Sequence, residues 1–316
     1  MYYMGIDLGG TNIAAGVVDD NYKILKKGSV PTAADRGAEL IIKDMGNLCM
    51  RLVEEAGLTV DQIEYAGVAS PGIANRETGV VEYANNLPFL RFPIAETLKK
   101  YFPVKKVFIE NDANAAAKGE SVAGAARGCR HAVMITLGTG LGGGIIIDGK
   151  VYSGFNFAGA ELGHIVIEYN GKPCTCGRKG CWEAYSSATG LINMTKDKIR
   201  EKPGTLMHDL VGDNLDNVSG RTAFAAMKQG DESARQVVEK YIEYLASGIA
   251  TVINIFQPEV LCIGGGVCNE GDALLKPLLK LVDREQYSRD SLAKTQIKIA
   301  ELGNDAGIIG AAVLGM

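Results

Sequence analysis

The sequence has no run of Lys or Arg longer than pairs such as Lys26-Lys27 and Lys99-Lys100, and its formal net charge is −4. It therefore lacks the electrostatic footprint of a nucleic-acid binder, and no nucleic-acid partner is expected. The longest uncharged stretches, His131 to Ile147 and Tyr244 to Pro258, are too short or too rich in Gly, Thr and Asn to span a bilayer, so no membrane association is expected. Strand-like residues begin at Tyr2, leaving no room for a basic and then apolar leader; a soluble, cytoplasmic protein is expected. Pro-rich or Ser-rich linkers and low-complexity segments are also missing, so any domains must be joined by ordered elements. What is present is 316 residues, 47% hydrophobic and 22% charged, enough for two domains that each bury a core.

Tyr2 to Leu8, Ile13 to Asp19 and Ile24 to Val30 are β-prone runs separated by Gly, Asn and Asp, the pattern of a small antiparallel meander. Gly37 to Ala56 then sets Leu40, Ile41, Met45, Leu48, Leu52 and Val53 near helical spacing, and Ile63 to Ala69 resumes a strand that Ser70-Pro71-Gly72 breaks. A strand near Val80, a short helix over Ile94 to Tyr101 and a buried strand over Lys106 to Glu110 follow. The last strand runs into Asn111-Asp112 and an Ala-rich helix, a strand-to-helix corner of the kind where α/β folds place ligands. A Gly-rich hairpin from Val133, a helix over Ala234 to Phe256, a strand over Val260 to Ile263 and then Gly264-Gly265-Gly266 vary the same theme, and two related α/β lobes are expected. The small, apolar stretch Asp305 to Leu314 is expected to be a helix that returns to the first lobe, which would make that lobe discontinuous.

Two Gly/Thr turns stand out. In Asp7-Leu8-Gly9-Gly10-Thr11-Asn12 the glycines let backbone approach phosphate oxygens, Thr11 offers a hydroxyl, and Asp7 can orient hydrated Mg²⁺. The motif lacks the G-K-[ST] ending of a Walker A loop, and read alone it is equally a tight turn that needs Gly. A second turn of the same kind runs from Thr136 through Gly138, Thr139 and Gly140 to Gly144, and two such loops, one per lobe, can take a triphosphate from both sides. Gly264, Gly265 and Gly266 offer a surface without side chains on which an adenine or ribose could rest. Asp112 follows a strand end, where it suits a general base or, equally by residue preference, a helix N-cap. Three of seven cysteines crowd into Cys174-Thr-Cys176-Gly-Arg-Lys-Gly-Cys181, which in a reducing cytosol reads as metal-binding before disulfide-bonded.

Taken together, Asp7 to Asn12, Glu110-Asn111-Asp112, Thr136 to Gly144, Glu161-Leu-Gly-His164 and Cys174 to Glu183 resemble the ROK family (repressor, open reading frame, kinase) of the sugar kinase, actin and Hsp70 superfamily, over essentially the whole chain. The resemblance implies a two-lobed α/β fold of the actin-like ATPase, ribonuclease H-like type. The expected division is a smaller lobe of 1–114 plus 302–316 and a larger one of 115–301 with a zinc site. It implies that Asp112 is the base, and that Asn111, Asp112, Glu161, His164 and Glu183 contact a sugar. Asn86 resembles an Asn-Leu segment that approaches the sugar, with Asn85 as the other choice, and Gly72 is expected nearby. His164 with Cys174, Cys176 and Cys181 would complete a Cys₃His structural zinc site and aim its other nitrogen at the sugar. Asn12 stands where many such kinases have Lys, and an amide there can still donate to phosphate. Ala160 stands where Gly is frequent.

The expected activity is ATP-dependent phosphorylation of a hexose with Mg·ATP, first of all glucose at its 6-hydroxyl. N-acetylmannosamine, fructose and allose kinases of the same family are the alternatives, and a homodimer is implied. A sugar-sensing repressor of this family would need a DNA-binding helix-turn-helix, normally ahead of the first strand, and the charge is unfavourable for DNA. An actin-like or Hsp70-like nucleotide switch would leave the cysteine cluster and Glu161, His164 and Glu183 unexplained.

Overall fold

A computed structural model describes residues 1–316. The three β-prone runs at the start form β1 (Tyr2–Leu8), β2 (Asn12–Asp19) and β3 (Ile24–Pro31), followed by α1 (Ala38–Glu55) and β4 (Ile63–Ser70). Three short strands, β5 (Ile73–Asn75), β6 (Val80–Tyr83) and β7 (Leu90–Phe92), precede α2 (Ile94–Lys99), β8 (Val107–Asn111) and α3 (Asp112–Ala123). Then come β9 (Ala132–Leu137), β10 (Leu141–Ile147) and β11 (Lys150–Val151). A helical stretch holds α4 (Glu183–Ser186), α5 (Ala188–Glu201), α6 (Leu206–Val211), α7 (Thr222–Lys228) and α8 (Glu232–Phe256). The chain closes with β12 (Val260–Gly264), α9 (Asp272–Glu285), β13 (Gln296–Ile299) and α10 (Ala306–Ala312).

Two five-stranded sheets have the orders β3-β2-β1-β4-β8 and β11-β10-β9-β12-β13, and β5, β6 and β7 make a third, small sheet. Packing divides the chain into two units: Met1–Met134 with Gly144–Ala160 and Ala300–Met316, and Ile135–Gly143 with Glu161–Ile299. The line differs from the 1–114 plus 302–316 and 115–301 division drawn from sequence, because α3 packs with α10 in the first unit.

In the first unit the meander β1–β3 is antiparallel, while β1 with β4 and β4 with β8 run parallel. One face of α1 buries Ile41, Ile42, Met45, Leu48, Cys49, Leu52 and Val53 in a core shared with Met4, Ile6, Leu8, Val68 and Ile109. The six of these α1 side chains other than Cys49 remove enough surface to contribute roughly 9–18 kcal/mol before chain entropy is counted. The helix α10 lies so close to the sheet that a Cβ on Gly5 or Gly67 would strike the Ile308 or Ala311 carbonyl, and the Tyr65 hydroxyl donates to Ala312 O at 2.7 Å. Small residues therefore bring the last helix of the chain onto its first strand.

The second unit is organised on α8, whose buried face includes Val238, Tyr241, Leu245, Ile249 and Ile253. Trp182, fully buried, fits where Gly248 leaves room for its indole and donates Nε1–H to Tyr244 O at 3.1 Å. The Tyr241 hydroxyl donates to Ser186 O at 2.8 Å. These bonds clamp the segment Cys181 to Ser186 to α8 and fix where Glu183 stands.

Candidate functional site

In the first unit the site follows from strand register. Asp7 pairs with Ala69, Ala69 with Glu110, and Ser70 with Asn111, so the carboxyl ends of β1, β4 and β8 lie along one edge. Ligands bind at such edges in α/β sheets. Asp7 and Asp112 come close enough there to repel. Burial first, and the Asp112 charge second, push the Asp7 carboxyl up from 3.8 to about 6. Burial also raises Asp112, against a 2.8 Å bond from Ala113 N–H to its Oδ1. Gly307 of α10 lies against Asp7, and any side chain there would collide with the carboxylate.

The helix cap is Asn111, not Asp112. Asn111 Oδ1 accepts from the N–H groups of Ala113 at 3.0 Å and Asn114 at 3.2 Å, and its Nδ2 donates to Gly72 O at 3.2 Å. The capping position is thus filled by Asn111, and Asp112 stands as the first residue of the helix. Gly72 has φ +85° and packs against the Tyr83–Ala84 backbone, which any side chain would disturb. Asn86 is exposed beside Gly10.

The first Gly turn commits its carbonyls to its own unit. Gly9 N–H donates to Asn12 O at 2.9 Å, Thr32 N–H to Thr11 O at 2.8 Å, and the Thr32 hydroxyl to Gly9 O at 2.7 Å. The Gly10 and Thr11 N–H groups make no bond within the protein, and both residues are exposed. Donors presented without acceptors are what an anion-binding nest needs.

The second unit repeats the device. Gly138 N–H donates to Gly140 O at 3.1 Å, Ala188 N–H to Gly138 O at 2.9 Å, and the Thr189 hydroxyl to Thr139 O at 2.7 Å. Again two N–H groups, of Thr139 and Gly140, have no partner in the protein. Thr136 is the penultimate residue of β9, just ahead of the turn. Gly265, at φ +99°, lies against the Leu137 backbone, and Gly266 has open space where a side chain would be. Gly264 ends β12 and is buried.

His164, Cys174, Cys176 and Cys181 converge in the same unit, their ligand atoms all within 4.8 Å of one another. His164 Nδ1 is 3.7 Å from Cys174 Sγ, and Cys176 Sγ is 3.6 Å from Cys181 Sγ. Ligands of a tetrahedral zinc at about 2.3 Å stand roughly 3.8 Å apart, so these separations and this donor set fit zinc. Facing the thiols with Nδ1 leaves His164 Nε2 for another partner. Glu183 connects the cluster to the turn: its Oε2 accepts from Leu141 N–H at 2.9 Å, while its Oε1 accepts from the Thr175 hydroxyl at 3.3 Å and lies 3.8 Å from Cys174 Sγ. Glu161 is exposed, and its carbonyl accepts from His164 N–H at 3.0 Å. Ala160 has φ +67°, so the frequent Gly at this position meets a backbone demand that Ala satisfies under strain.

Sequence reasoning missed Thr32, Ala188, Thr189 and Gly307. Thr32 and Gly307 act across long sequence separations that no local motif records; the Ser187-Ala188-Thr189 helix start was a findable signal, since Ser187 caps α5 by accepting from Gly190 N–H at 3.0 Å.

Parallel strand ends carrying two carboxylates, with glycine turns that each present two N–H groups without a partner in the protein, define a nucleotide-using α/β protein of the actin-like ATPase fold, and solved structures agree. The ROK family glucokinase from Streptomyces griseus, in complex with glucose and AMPPNP, is 34% identical with a TM-score of 0.84 over 99% of each chain. The ROK hexokinase from Thermus thermophilus is also 34% identical, with a TM-score of 0.83 over 99% of this chain and 97% of that one. In sequence, a glucokinase from Thermotoga maritima is 38% identical over 98% of this chain and 95% of its own length. The ROK family model matches residues 3–316, and the chain belongs to the ROK family.

Proposed function

We propose that this chain transfers the γ-phosphoryl group of ATP to a hexose, glucose before others, with Asp112 as the general base. The observation that carries the reading is the state of Asp112 itself: Asn111 has taken over the cap, and the carboxylate is half-buried beside Asp7 at the strand ends. The glucokinases that the chain resembles support the choice of sugar. Burial that raises the Asp112 carboxyl makes it a stronger proton acceptor than a solvated Asp.

In the reaction the sugar hydroxyl gives its proton to Asp112 as its oxygen bonds to the γ-phosphorus, and the bond from that phosphorus to the bridging oxygen of ADP breaks. The free N–H groups of Gly10 and Thr11, the Thr11 hydroxyl and the Asn12 amide are assigned to phosphate oxygens. Those of Thr139 and Gly140 are assigned likewise, with Thr136 and Gly138 shaping the turn and Gly264, Gly265 and Gly266 receiving the nucleoside. Magnesium bound with the nucleotide neutralises phosphate charge, and Asp7 would orient its water shell. Sugar hydroxyls are assigned to Gly72, Asn86, Asn111 through Nδ2, Glu161, His164 through Nε2, and Glu183. Zinc on His164, Cys174, Cys176 and Cys181 would be structural, holding the loop that orients His164 and Glu183. A homodimer, a cytoplasmic location and a role at the entry of glucose into glycolysis go with this reading.

A coupled ADP-release assay across a hexose and N-acetylhexosamine panel tests it. Glucose is expected to give the highest kcat/KM. ADP release that no sugar stimulates would end the kinase reading, and a clear preference for N-acetylmannosamine, fructose or allose would reassign the substrate.

A further inference from the structure

Glu110 is the residue of the Glu110-Asn111-Asp112 corner to which neither substrate nor nucleotide gives work. It is 2% exposed on β8, and its two oxygens divide their partners. Oε1 accepts from Asn111 N–H at 3.0 Å and from Asn114 Nδ2 at 3.2 Å. Oε2 faces Arg76 at 3.7 Å, the one cation paired with it. A buried carboxylate stays ionised only when such a partner offsets its lost hydration. Burial raises Glu110, whereas Asn111, Asn114 and Arg76 act in the opposite direction.

Arg76 itself is held from a second side. It lies between β5 and β6 with about half its side chain exposed, and its guanidinium stands 5.7 Å from the centre of the Phe157 ring, within cation–π range. Phe157 keeps a left-handed φ of +61° in the segment that leads to Glu161. Asn114 has little else to hold it: it is 1% exposed, its side-chain oxygen has no hydrogen-bond partner, and its amide nitrogen donates to Glu110.

We propose that Arg76 is a positioning residue for phosphoryl transfer: by holding the Glu110 carboxylate in place, it fixes Asn111 and the first turn of α3, on which Asp112 stands. The role rests on the reading of Asp112 as base. Without the guanidinium, Glu110 Oε2 loses the one cation that faces it, the carboxylate is less firmly placed, and the bonds from Asn111 N–H and Asn114 Nδ2 to its Oε1 loosen together. Displacements of the order of an ångström at a reacting group cost up to about a hundredfold in rate, so a partial loosening is expected to cost about tenfold.

Four variants and two readouts test this. Arg76→Met is expected to lower kcat about tenfold while KM for ATP stays within about twofold, because positioning of the base is lost and nucleotide binding is not. Arg76→Lys restores charge without the planar fork and is expected to recover most of the loss. Glu110→Gln is expected to reproduce the loss, and Glu110→Gln combined with Arg76→Met to add little to it, since both act through one contact. A wild-type kcat for Arg76→Met, or losses that multiply in the double variant, overturns the proposal. Amide hydrogen exchange at residues 111–116 needs no substrate and so separates this idea from the kinase reading. Faster exchange there in Arg76→Met, reversed in Arg76→Lys, supports the linkage, and unchanged exchange overturns it whatever the activity.

Discussion

The two glycine turns solve one problem with different supports. Each commits its carbonyls inward and leaves two N–H groups free, Gly10 and Thr11 in one unit and Thr139 and Gly140 in the other. The first turn is held by the buried residue Thr32 alone, through two hydrogen bonds. The second is held by Ala188 and Thr189 and also, through Leu141 N–H, by Glu183, which stands against Thr175 and Cys174. A donor nest can thus rest on chain hydrogen bonds, or it can be tied to a cluster that suits a metal. The first arrangement should be indifferent to metal, and the second should not.

The largest expected effect sits on the side that needs no metal beyond the nucleotide's own. Asp112→Asn keeps size and leaves the Asn111 cap in place, so folding should be spared, yet it removes the proton acceptor. General-base contributions of this kind are typically 10²–10⁴, and a kcat lower by about 10³ is expected with KM for ATP little changed. Steady-state kinetics on the purified variant checks it, and near-normal turnover would refute the assigned base.

Metal removal presses on the other side. Elemental analysis of the protein as purified should find zinc near one per chain. After chelation, or in Cys176→Ser, amide exchange should rise across residues 161–183 and at 138–141, while residues 9–12 keep their protection. KM for the sugar should rise about 10–100-fold, the usual cost of losing the groups that orient a site through its metal. Cys181, whose thiol burial and its neighbouring thiols push up to about 12, would regain its proton as the ion leaves. Equal exchange in both turns after chelation would erase the contrast drawn between them.

Much of this was legible in the sequence where chemistry is local. The meander, α1 and the β8–α3 corner follow from period-2 and period-3.6 patterns, and the Cys174–Cys181 spacing points to a ligand set because short loops fix which thiols can meet. The strands β5 and β7 span three residues each, too few for an alternation to register, and α5, α6, α7 and α9 lie where motif and breaker signals are weak. The lobe boundary at 114 was drawn at the start of α3, but small-residue contact between Gly310 and Ala115 O brings that helix and α10 together, a pairing about two hundred residues apart in the chain. The choice between cap and base for Asp112 could not be made from residue preference, since Asn and Asp cap equally well. What the structure adds is that the Asn111 amide oxygen occupies the cap.

The smallest expected effect concerns stability and uses the carboxylate pair that the second unit lacks. Asp7 has its pKa raised in the fold from 3.8 to about 6, so the folded chain binds this proton more tightly than the unfolded chain does. The stabilisation that this provides is complete below about pH 4 and is lost as pH rises through 6. Above that, the folded protein carries a charged, largely buried Asp7 beside Asp112, at a cost on the order of 3 kcal/mol. Asp7→Asn removes the charge and the repulsion. Urea midpoints should therefore favour Asp7→Asn over the wild type at pH 8, and the two should converge towards pH 4. Saturating Mg·ATP should narrow the gap at pH 8 by stabilising the wild type, because a cation placed against Asp7 supplies the compensation that burial withholds. A gap independent of pH would mean that Asp7 is held by packing against Gly307, with the charge pair contributing nothing.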